Sequence, residues 1–153
     1  MTRTPFILAA AAGSLALLLG AFAFQALGYA PCQLCLWQRW PHAAAVVIGA
    51  LWLISRQGWL AWLGALAALT TAAIGLFHVG VEQQWWEGLA SCTANALAGV
   101  SAGDLLSTET TVGAPVRCDQ VAWSLLGISM AGFNVLFSLA FAGLWVKAAR
   151  LPQ

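Results

Sequence analysis

The chain has 153 residues, of which 61% are hydrophobic and only 7% are charged, and its formal net charge is +1. A soluble domain carries roughly 25% charged residues, so a water-soluble fold of this size could not cover its surface with so few charges. The near-neutral balance also provides no basic surface for nucleic acid. Composition therefore predicts an integral membrane protein that contacts lipid over most of its surface and has no nucleic-acid partner.

Four apolar segments predict membrane-spanning helices, with bounds of about 6–27, 37–54, 59–81 and 123–146. An open sheet would leave backbone groups unpaired in lipid. A membrane barrel needs strands of roughly ten residues with alternating polarity, whereas these segments are longer and continuously apolar. We therefore predict an all-α fold, a single-domain four-helix transmembrane bundle.

The first apolar segment allows a second interpretation as a secretory signal, because Ala21-Phe22-Ala23 would suit a cleavage site. The run from Phe6 to Leu27 has roughly 22 residues, which is enough to span a bilayer. It is longer than a usual signal core, and a Cys-x-x-Cys motif follows it at once. The membrane-span interpretation is therefore preferred.

The connection after the first span, residues 28–40, carries Cys32 and Cys35 in Cys-x-x-Cys spacing. A disulfide between them would close a very small ring and add little loop-closure stabilisation, which favours a redox-active pair over a structural one. A helix that starts near Cys32 would favour the thiolate through its dipole. Arg39 lies four residues after Cys35 and shares a helix face with it. Pro41 is expected in the first turn of the next helix.

The connection between the third and fourth predicted spans, residues 82–121, is the one long polar segment of the sequence and contains Cys92 and Cys118. Its many Ala, Gly, Ser and Thr residues predict a mobile loop. From spacing alone, this second pair is either a structural staple of the loop or a redox partner that reaches the first pair. Four cysteines could also bind zinc, but such sites usually contain two close pairs or interspersed histidines, so we predict no metal site.

The distribution of charge predicts the orientation in the membrane. With the N-terminus inside, the inner segments hold four basic residues and no acid: Arg3, Arg56, Lys147 and Arg150. All five acidic residues then lie outside. Because Lys and Arg favour the cytoplasmic side, we predict that both termini are inside, which places all four cysteines outside. In a bacterium that side is the periplasm, where disulfides persist.

Electrons that enter at Cys92 and Cys118 could pass to Cys32 and Cys35 by thiol–disulfide exchange. These electrons must then pass from Cys32 and Cys35 to an acceptor. The sequence contains no haem-attachment motif, nucleotide-binding loop or iron–sulfur spacing. A lipid-soluble acceptor that is reached through the bilayer beside Cys35 fits a small protein buried in the membrane, and a quinone is the plausible candidate. His78 lies near the outer end of the third span, so a site there could include it, although a histidine in an apolar span is more often a packing residue.

Residues 32–39, which read CQLCLWQR, combine Cys-x-x-Cys with an arginine four residues on. Together with the topology and the stretch from Cys118 to Gly127, this motif makes nearly the whole chain resemble the disulfide bond formation protein B family, DsbB. Gln38 departs from the pattern, because some members have an acid beside the arginine.

The resemblance implies a thiol oxidase of the bacterial inner membrane that uses ubiquinone or menaquinone from the membrane pool. Its partner would be a soluble periplasmic DsbA-like oxidase, whose thiol attacks the loop disulfide at Cys92. Cys118 would then exchange with Cys32, and Cys35 would face the quinone. Arg39 would hold the quinone oxygen. His78 is a further candidate at the quinone.

A non-enzymatic interpretation stays open beside this one. The chain could be a four-span membrane protein whose two disulfides only stabilise its outer face. That interpretation predicts that both cysteine pairs resist mild reductant and that the protein binds no quinone.

Overall fold

The computed structural model describes residues 2–89 and 116–152, and this part of the chain is mostly helical. Four long helices and one short hairpin make up its regular structure. They are α1 (Thr4–Ala26), α2 (Gln33–Ser55), α3 (Leu60–Glu82), β1 (Ser124–Leu125), β2 (Ile128–Ser129) and α4 (Met130–Arg150). The helical prediction is confirmed, with the two-residue strands as an addition.

Three helices, α1, α3 and α4, are long and apolar enough to cross a membrane, by length and composition within the described residues. Helix α2 has 23 residues, the same length as α1 and α3. Its first half carries Gln38, Arg39 and His42, which lowers its hydropathy. A fourth span and the orientation of the termini therefore stay predictions.

Helix α2 begins earlier than its predicted span at residue 37, because Cys32 caps its N-terminus. The Cys32 sulfur accepts a hydrogen bond from the backbone N–H of Cys35 at 3.2 Å. Pro41 consequently lies inside the helix and not in its first turn. A proline there removes one backbone donor from the helix, and the carbonyl that it would have paired is left without that bond.

Helix α4 begins at Met130, later than the predicted span start at 123, because residues 124–129 form an antiparallel hairpin. Leu126 and Gly127 at its turn both have positive φ, 54° and 79°, as tight two-residue hairpin turns require. Ser129 then caps α4 by accepting the N–H of Gly132 at 3.2 Å. The apolar character of this stretch continues into α4, so hydropathy does not separate hairpin from helix.

The four helices form a ring of contacts in which α3 packs against α2 and α4, and α1 packs against the same two helices. Trp145 on α4 is fully buried in the apolar core, with Ile7 and Trp52 among its neighbours in the same cluster. Small residues let the helices approach, as is usual where helices pack in lipid. Gly64 on α3 is one example, because a Cβ there would overlap the indole of Trp145.

We predict that Gly64→Ala destabilises the bundle by about 1–3 kcal/mol, because the added methyl overpacks a fixed indole. For a chain of this size the midpoint of thermal unfolding in detergent should fall by about 2–10 °C.

Gly143→Ala on α4 is the matched control, since a Cβ there meets nothing within 4 Å. It should leave the unfolding midpoint unchanged or raise it slightly. Equal midpoints for the two variants would contradict the proposed packing of Gly64 against Trp145.

Candidate functional site

Cys32 and Cys35 lie together at the N-terminus of α2, with their sulfur atoms 2.8 Å apart. Cys32 is buried, whereas Cys35 is partly exposed. Both are free thiols, as is Cys118, the third cysteine that the structure describes. The pair predicted from Cys-x-x-Cys spacing is thus one compact dithiol.

Cys118 is fully buried in one cluster with Cys32, Leu34 and Val81. The chain outside the helices therefore returns to the N-terminus of α2 and places a third sulfur against the first pair. Cys92 lies outside the described residues, so its position and its pairing with Cys118 stay predictions.

His78 on α3 joins the dithiol to α2. Its Nε2 lies 3.5 Å from the Cys32 sulfur, and its Nδ1 lies 3.0 Å from the Nε2 of Gln38. The imidazole also interacts with the backbone of Cys118. From the sequence, His78 was a candidate site residue only because it lies near the end of a predicted span. Nothing in the sequence predicted that Gln38 contacts His78, although its neighbour Arg39 was predicted as a site residue.

Glu82, the last residue of α3, is a second buried polar group at this end of the bundle. Its carboxylate accepts a hydrogen bond from the hydroxyl of Ser129, the residue that caps α4. One carboxylate oxygen also lies 3.9 Å from Nε2 of His78. The outer end of α3 is therefore tied to the start of α4 beside the dithiol, a role that sequence reasoning did not find.

The two sulfurs share one proton unequally. The hydrogen bond from the Cys32 thiol lowers the pKa of Cys35 and, in return, raises the pKa of Cys32. Burial and the Glu82 carboxylate raise the pKa of Cys35, while the Arg39 guanidinium lowers it. The net result favours Cys35 as the thiolate of the pair.

An exposed ion pair lies next to Cys118. The guanidinium of Arg117 donates two hydrogen bonds to the carboxylate of Asp119, at 2.9 and 2.5 Å. These bonds raise the pKa of Arg117 and lower the pKa of Asp119. The pair lies on the exposed side of the segment that carries the buried sulfur.

Arg39 turns toward α1, where its side chain is held by three contacts. Its Nη1 donates to Oε1 of Gln25 at 2.8 Å, its Nη2 donates to the carbonyl of Ala21 at 3.4 Å, and its guanidinium lies 4.8 Å from the ring centre of Phe22. Its Nε–H is buried and has no hydrogen-bond partner among the described residues. Arg39 is therefore a cation held in a fixed position against α1.

A cavity of about 350 Å³ lies beside this arginine and is bordered by α1, α2, α3, α4 and the hairpin. Its walls are mostly apolar, with Leu17, Phe24 and Phe133 among them, and Cys35 and Arg39 lie in the same lining. Binding sites for small ligands commonly combine such a volume with a few convergent polar groups.

His42 borders the same cavity and continues the polar network into the bundle. Its Nε2 lies 2.7 Å from Oδ1 of Asn134, whose amide nitrogen donates to the carbonyl of Thr71 at 3.3 Å. His42 is therefore hydrogen-bonded inside the bundle, where it joins α2 to α4.

The residues present fit a quinone, which is a flat apolar ring with carbonyl oxygens that accept hydrogen bonds. The guanidinium of Arg39 is a donor of the kind that a carbonyl needs, and the thiol of Cys35 borders the same apolar space. These are the groups that would hold it.

The dithiol and His78 also meet the distance criterion for a metal site, since their three ligand atoms all lie within 4.8 Å of one another. Tetrahedral zinc with Zn–S bonds of about 2.3 Å would, however, separate two sulfurs by roughly 3.8 Å. The 2.8 Å separation found here fits a hydrogen-bonded dithiol better. The prediction of no metal site stays a prediction.

These features define a class: a helical membrane protein with a buried Cys-x-x-Cys dithiol beside an apolar cavity. The family model for Disulfide bond formation protein DsbB matches residues 3–148, and the chain therefore belongs to the DsbB family of membrane disulfide-bond formation proteins. Members of this bacterial membrane family are in general disulfide oxidoreductases. No curated protein and no solved structure matches the chain significantly.

We predict that Cys35 is alkylated faster than Cys32 or Cys118 in the reduced, folded protein, because it is the most exposed of the three and the favoured thiolate. Brief treatment with iodoacetamide followed by peptide mass spectrometry gives the order. Unfolding in hot detergent is the control and should bring the three rates close together. Faster labelling of Cys118 in the folded protein would contradict its burial.

Proposed function

We propose that the protein is a quinone-dependent membrane thiol oxidase that reoxidises a periplasmic DsbA-like dithiol oxidase. One observation carries the proposal: Cys35 belongs both to the dithiol and to the lining of the cavity that Arg39 borders. A thiol pair with one sulfur against an apolar cavity can pass electrons to a lipid-soluble acceptor. A quinone supplies that chemistry when bound, because it takes up two electrons and two protons.

Electrons enter through the outer cysteines. The partner's thiolate attacks Cys92 in the loop disulfide, a mixed disulfide forms between the two proteins, and Cys118 leaves as a thiolate. A second thiol of the partner then attacks the mixed disulfide, which releases the oxidised partner and leaves Cys92 reduced. The burial of Cys118 against Cys32 supports the next exchange, in which the Cys118 thiolate attacks the Cys32 sulfur.

Cys35 is the leaving sulfur in that exchange, and a leaving thiol with a lowered pKa leaves faster. Its negative charge then lies at the cavity, where Arg39 offers a positive charge. Arg39 would hold the acceptor oxygen and would stabilise negative charge that develops there. Cys92 then attacks Cys118 in the Cys118–Cys32 disulfide, which restores the loop disulfide and releases Cys32 as a thiolate. A quinone at the cavity would accept two electrons from the Cys32/Cys35 dithiol, together with two protons, so that the second disulfide is restored and a quinol is formed.

We further propose that the protein lies in the bacterial inner membrane with both termini inside. The described cysteines, Glu82 and the Arg117–Asp119 pair lie at the α2 start and the α3 end of the bundle. The basic residues of the last turn of α4, Lys147 and Arg150, lie at the opposite end of that helix from its Ser129 cap. This asymmetry supports a periplasmic dithiol.

Cys35→Ala should abolish turnover with quinone, because the sulfur at the cavity is removed, while the loop pair still forms a mixed disulfide with the partner. Quinone reduction is followed by absorbance and the mixed disulfide by non-reducing electrophoresis. Leu36→Ala, at the exposed neighbouring position, is the matched control and should retain turnover. Normal multiple turnover by Cys35→Ala would refute the assignment.

Arg39→Ala should raise the KM for quinone roughly tenfold or more, as expected for loss of a hydrogen bond from a charged donor. The KM for the partner should change much less. Gln25→Ala removes only the anchoring bond to Nη1 and leaves Nε in place, so a smaller rise is expected. Equal rises in both KM values for Arg39→Ala would make the arginine a packing residue.

A further inference from the structure

Helix α1 packs closely against the bundle only over its first half. Its buried residues all lie there, at Ile7, Ala10 and Ser14. A Cβ on Gly13 would overlap the ring of Phe141 on α4, whereas a Cβ on Gly20 would meet nothing within 4 Å among the described residues. The two helices therefore touch at Gly13, and the space beside Gly20 stays open.

The open space lies on the face of α1 that is turned toward α4. Four residues of α1 follow one another at helical spacing and share this face: Gly13, Leu17, Gly20 and Phe24. Gly13 fixes the direction of the face, because its contact is with Phe141 on α4. The other three, Leu17, Gly20 and Phe24, all lie in the wall of the cavity described above. The space between the two helices is thus continuous with that cavity.

The facing side of α4 is a row of phenylalanine rings. Phe133, Phe137 and Phe141 recur every four residues, and neighbouring ring centres lie 6.3 and 6.4 Å apart with nearly parallel planes. Trp123 extends the row at the end next to the hairpin, 6.2 Å from Phe133 and 5.3 Å from Phe24 on α1. We call the three phenylalanines the aromatic ladder, and the space between them and the α1 face the α1–α4 groove.

The groove leads from the cavity to the lipid. Phe133, the first ring of the ladder, lies in the cavity wall, and Phe137, the middle ring, is 46% exposed. Phe141, the last ring, packs against α1 and closes the groove. On the other side of the cavity, Gln38 and His78 are buried in the interior of the bundle. A molecule in the cavity therefore reaches the lipid along Phe137.

The chemistry of a membrane quinone suits this groove. A quinone that is dissolved in the bilayer carries a polyprenyl tail, an apolar chain with one planar double bond in every isoprene unit, and such units fit against the flat faces of aromatic rings. Acyl chains of lipids also reach an exposed ring. The tail, however, is tethered to a quinone head that binds beside Cys35, so its effective concentration at the groove is much higher.

We propose that the α1–α4 groove binds the first isoprene units of the quinone tail and that Phe137 is the residue that selects for them. This inference rests on the proposed function, which supplies the quinone in the cavity. From Phe133 to Phe141 the ladder is ~12 Å long, which is the length of about two or three extended isoprene units. Units beyond these meet the contact between Phe141 and Gly13 and turn into the lipid.

The test compares the dissociation constants of a tail-less quinone and a polyprenyl quinone for the oxidised full-length protein in detergent. Bound quinone is detected by quenching of tryptophan fluorescence, since Trp123 lies in the cavity wall. Phe137→Ala should weaken binding of the polyprenyl quinone about three- to tenfold, as expected for loss of one aromatic contact, and leave the tail-less quinone unchanged. Each variant is compared with the unmodified protein for the same quinone, so partition into detergent cancels. Equal changes for both quinones, or none for the polyprenyl quinone, would overturn the proposal.

Leu139→Ala is the matched control, because Leu139 lies on the same helix, is 50% exposed and is not part of the ladder. Both dissociation constants should match those of the unmodified protein. If Leu139→Ala weakens binding of the polyprenyl quinone as much as Phe137→Ala does, any truncation on the lipid-facing side of α4 has this effect, and the role of Phe137 is refuted.

A second measurement uses the unmodified protein and does not depend on how a variant folds. A quinone that carries a photoreactive diazirine on its second isoprene unit should label Leu17 on α1 and Phe137 on α4, as located by peptide mass spectrometry. Equal labelling of exposed leucines on α3, such as Leu66 and Leu69, would place the tail in bulk lipid and overturn the proposal.

The tail-less quinone separates this inference from the proposed function. If it binds and is reduced while the tail has no effect, only the groove is refuted. If neither quinone binds to the folded protein, the proposed function fails and this inference fails with it.

Discussion

The hydrogen bond between Gln38 and His78 joins α2 to α3 at the level of the dithiol, and the arrangement of the site depends on it. Polar side chains buried between helices are costly unless each donor and acceptor finds a partner. Gln38 meets this requirement with Leu34 on its own helix and His78 on the next. The same pairing that satisfies the buried amide also holds the imidazole of His78 3.5 Å from the Cys32 sulfur.

A second group of polar contacts lies deeper in the bundle and stabilises the opposite wall of the cavity. Asn134 on α4 bonds His42 on α2 and Thr71 on α3, so three helices meet at one amide. Thr71 in turn donates to the carbonyl of Gln38. The two connections therefore share α2 and α3, and the cavity beside Cys35 lies next to a wall that both of them stabilise.

The two ends of the helical bundle differ in composition and in role. The end that contains Trp145 is packed with apolar and small side chains, and its close helix approach at Gly64 supplies rigidity. The other end contains the cysteines, Glu82 and the hairpin before α4. Rigid packing at one end allows the redox end to carry buried polar groups and a cavity, which contribute less to stability.

Much of the helical architecture could be predicted from hydropathy, because long apolar runs have few alternatives in lipid. The shared face of Cys35 and Arg39 also followed from helical spacing, and both line the cavity. Hydropathy could not locate the start of α4, since residues 124–129 are as apolar as a helix but form a hairpin through two positive-φ positions.

Contacts between distant residues were the least predictable part of the site. Gln38 and His78 lie 40 positions apart, and Glu82 and Ser129 lie 47 apart. Their pairing depends on how α2, α3 and α4 pack, which no local pattern encodes. Cys118 shows the same limit, because its spacing from Cys32 gives no sign that the two sulfurs share one buried cluster.

The most direct test of the central claim is a turnover assay on the purified protein in detergent. It mixes the protein with a reduced DsbA-type partner and a soluble quinone, and follows quinol formation and partner oxidation together. The account predicts many turnovers with one quinol formed for each partner disulfide. Folded protein that neither reduces nor binds quinone would contradict it and favour a structural role for the cysteines.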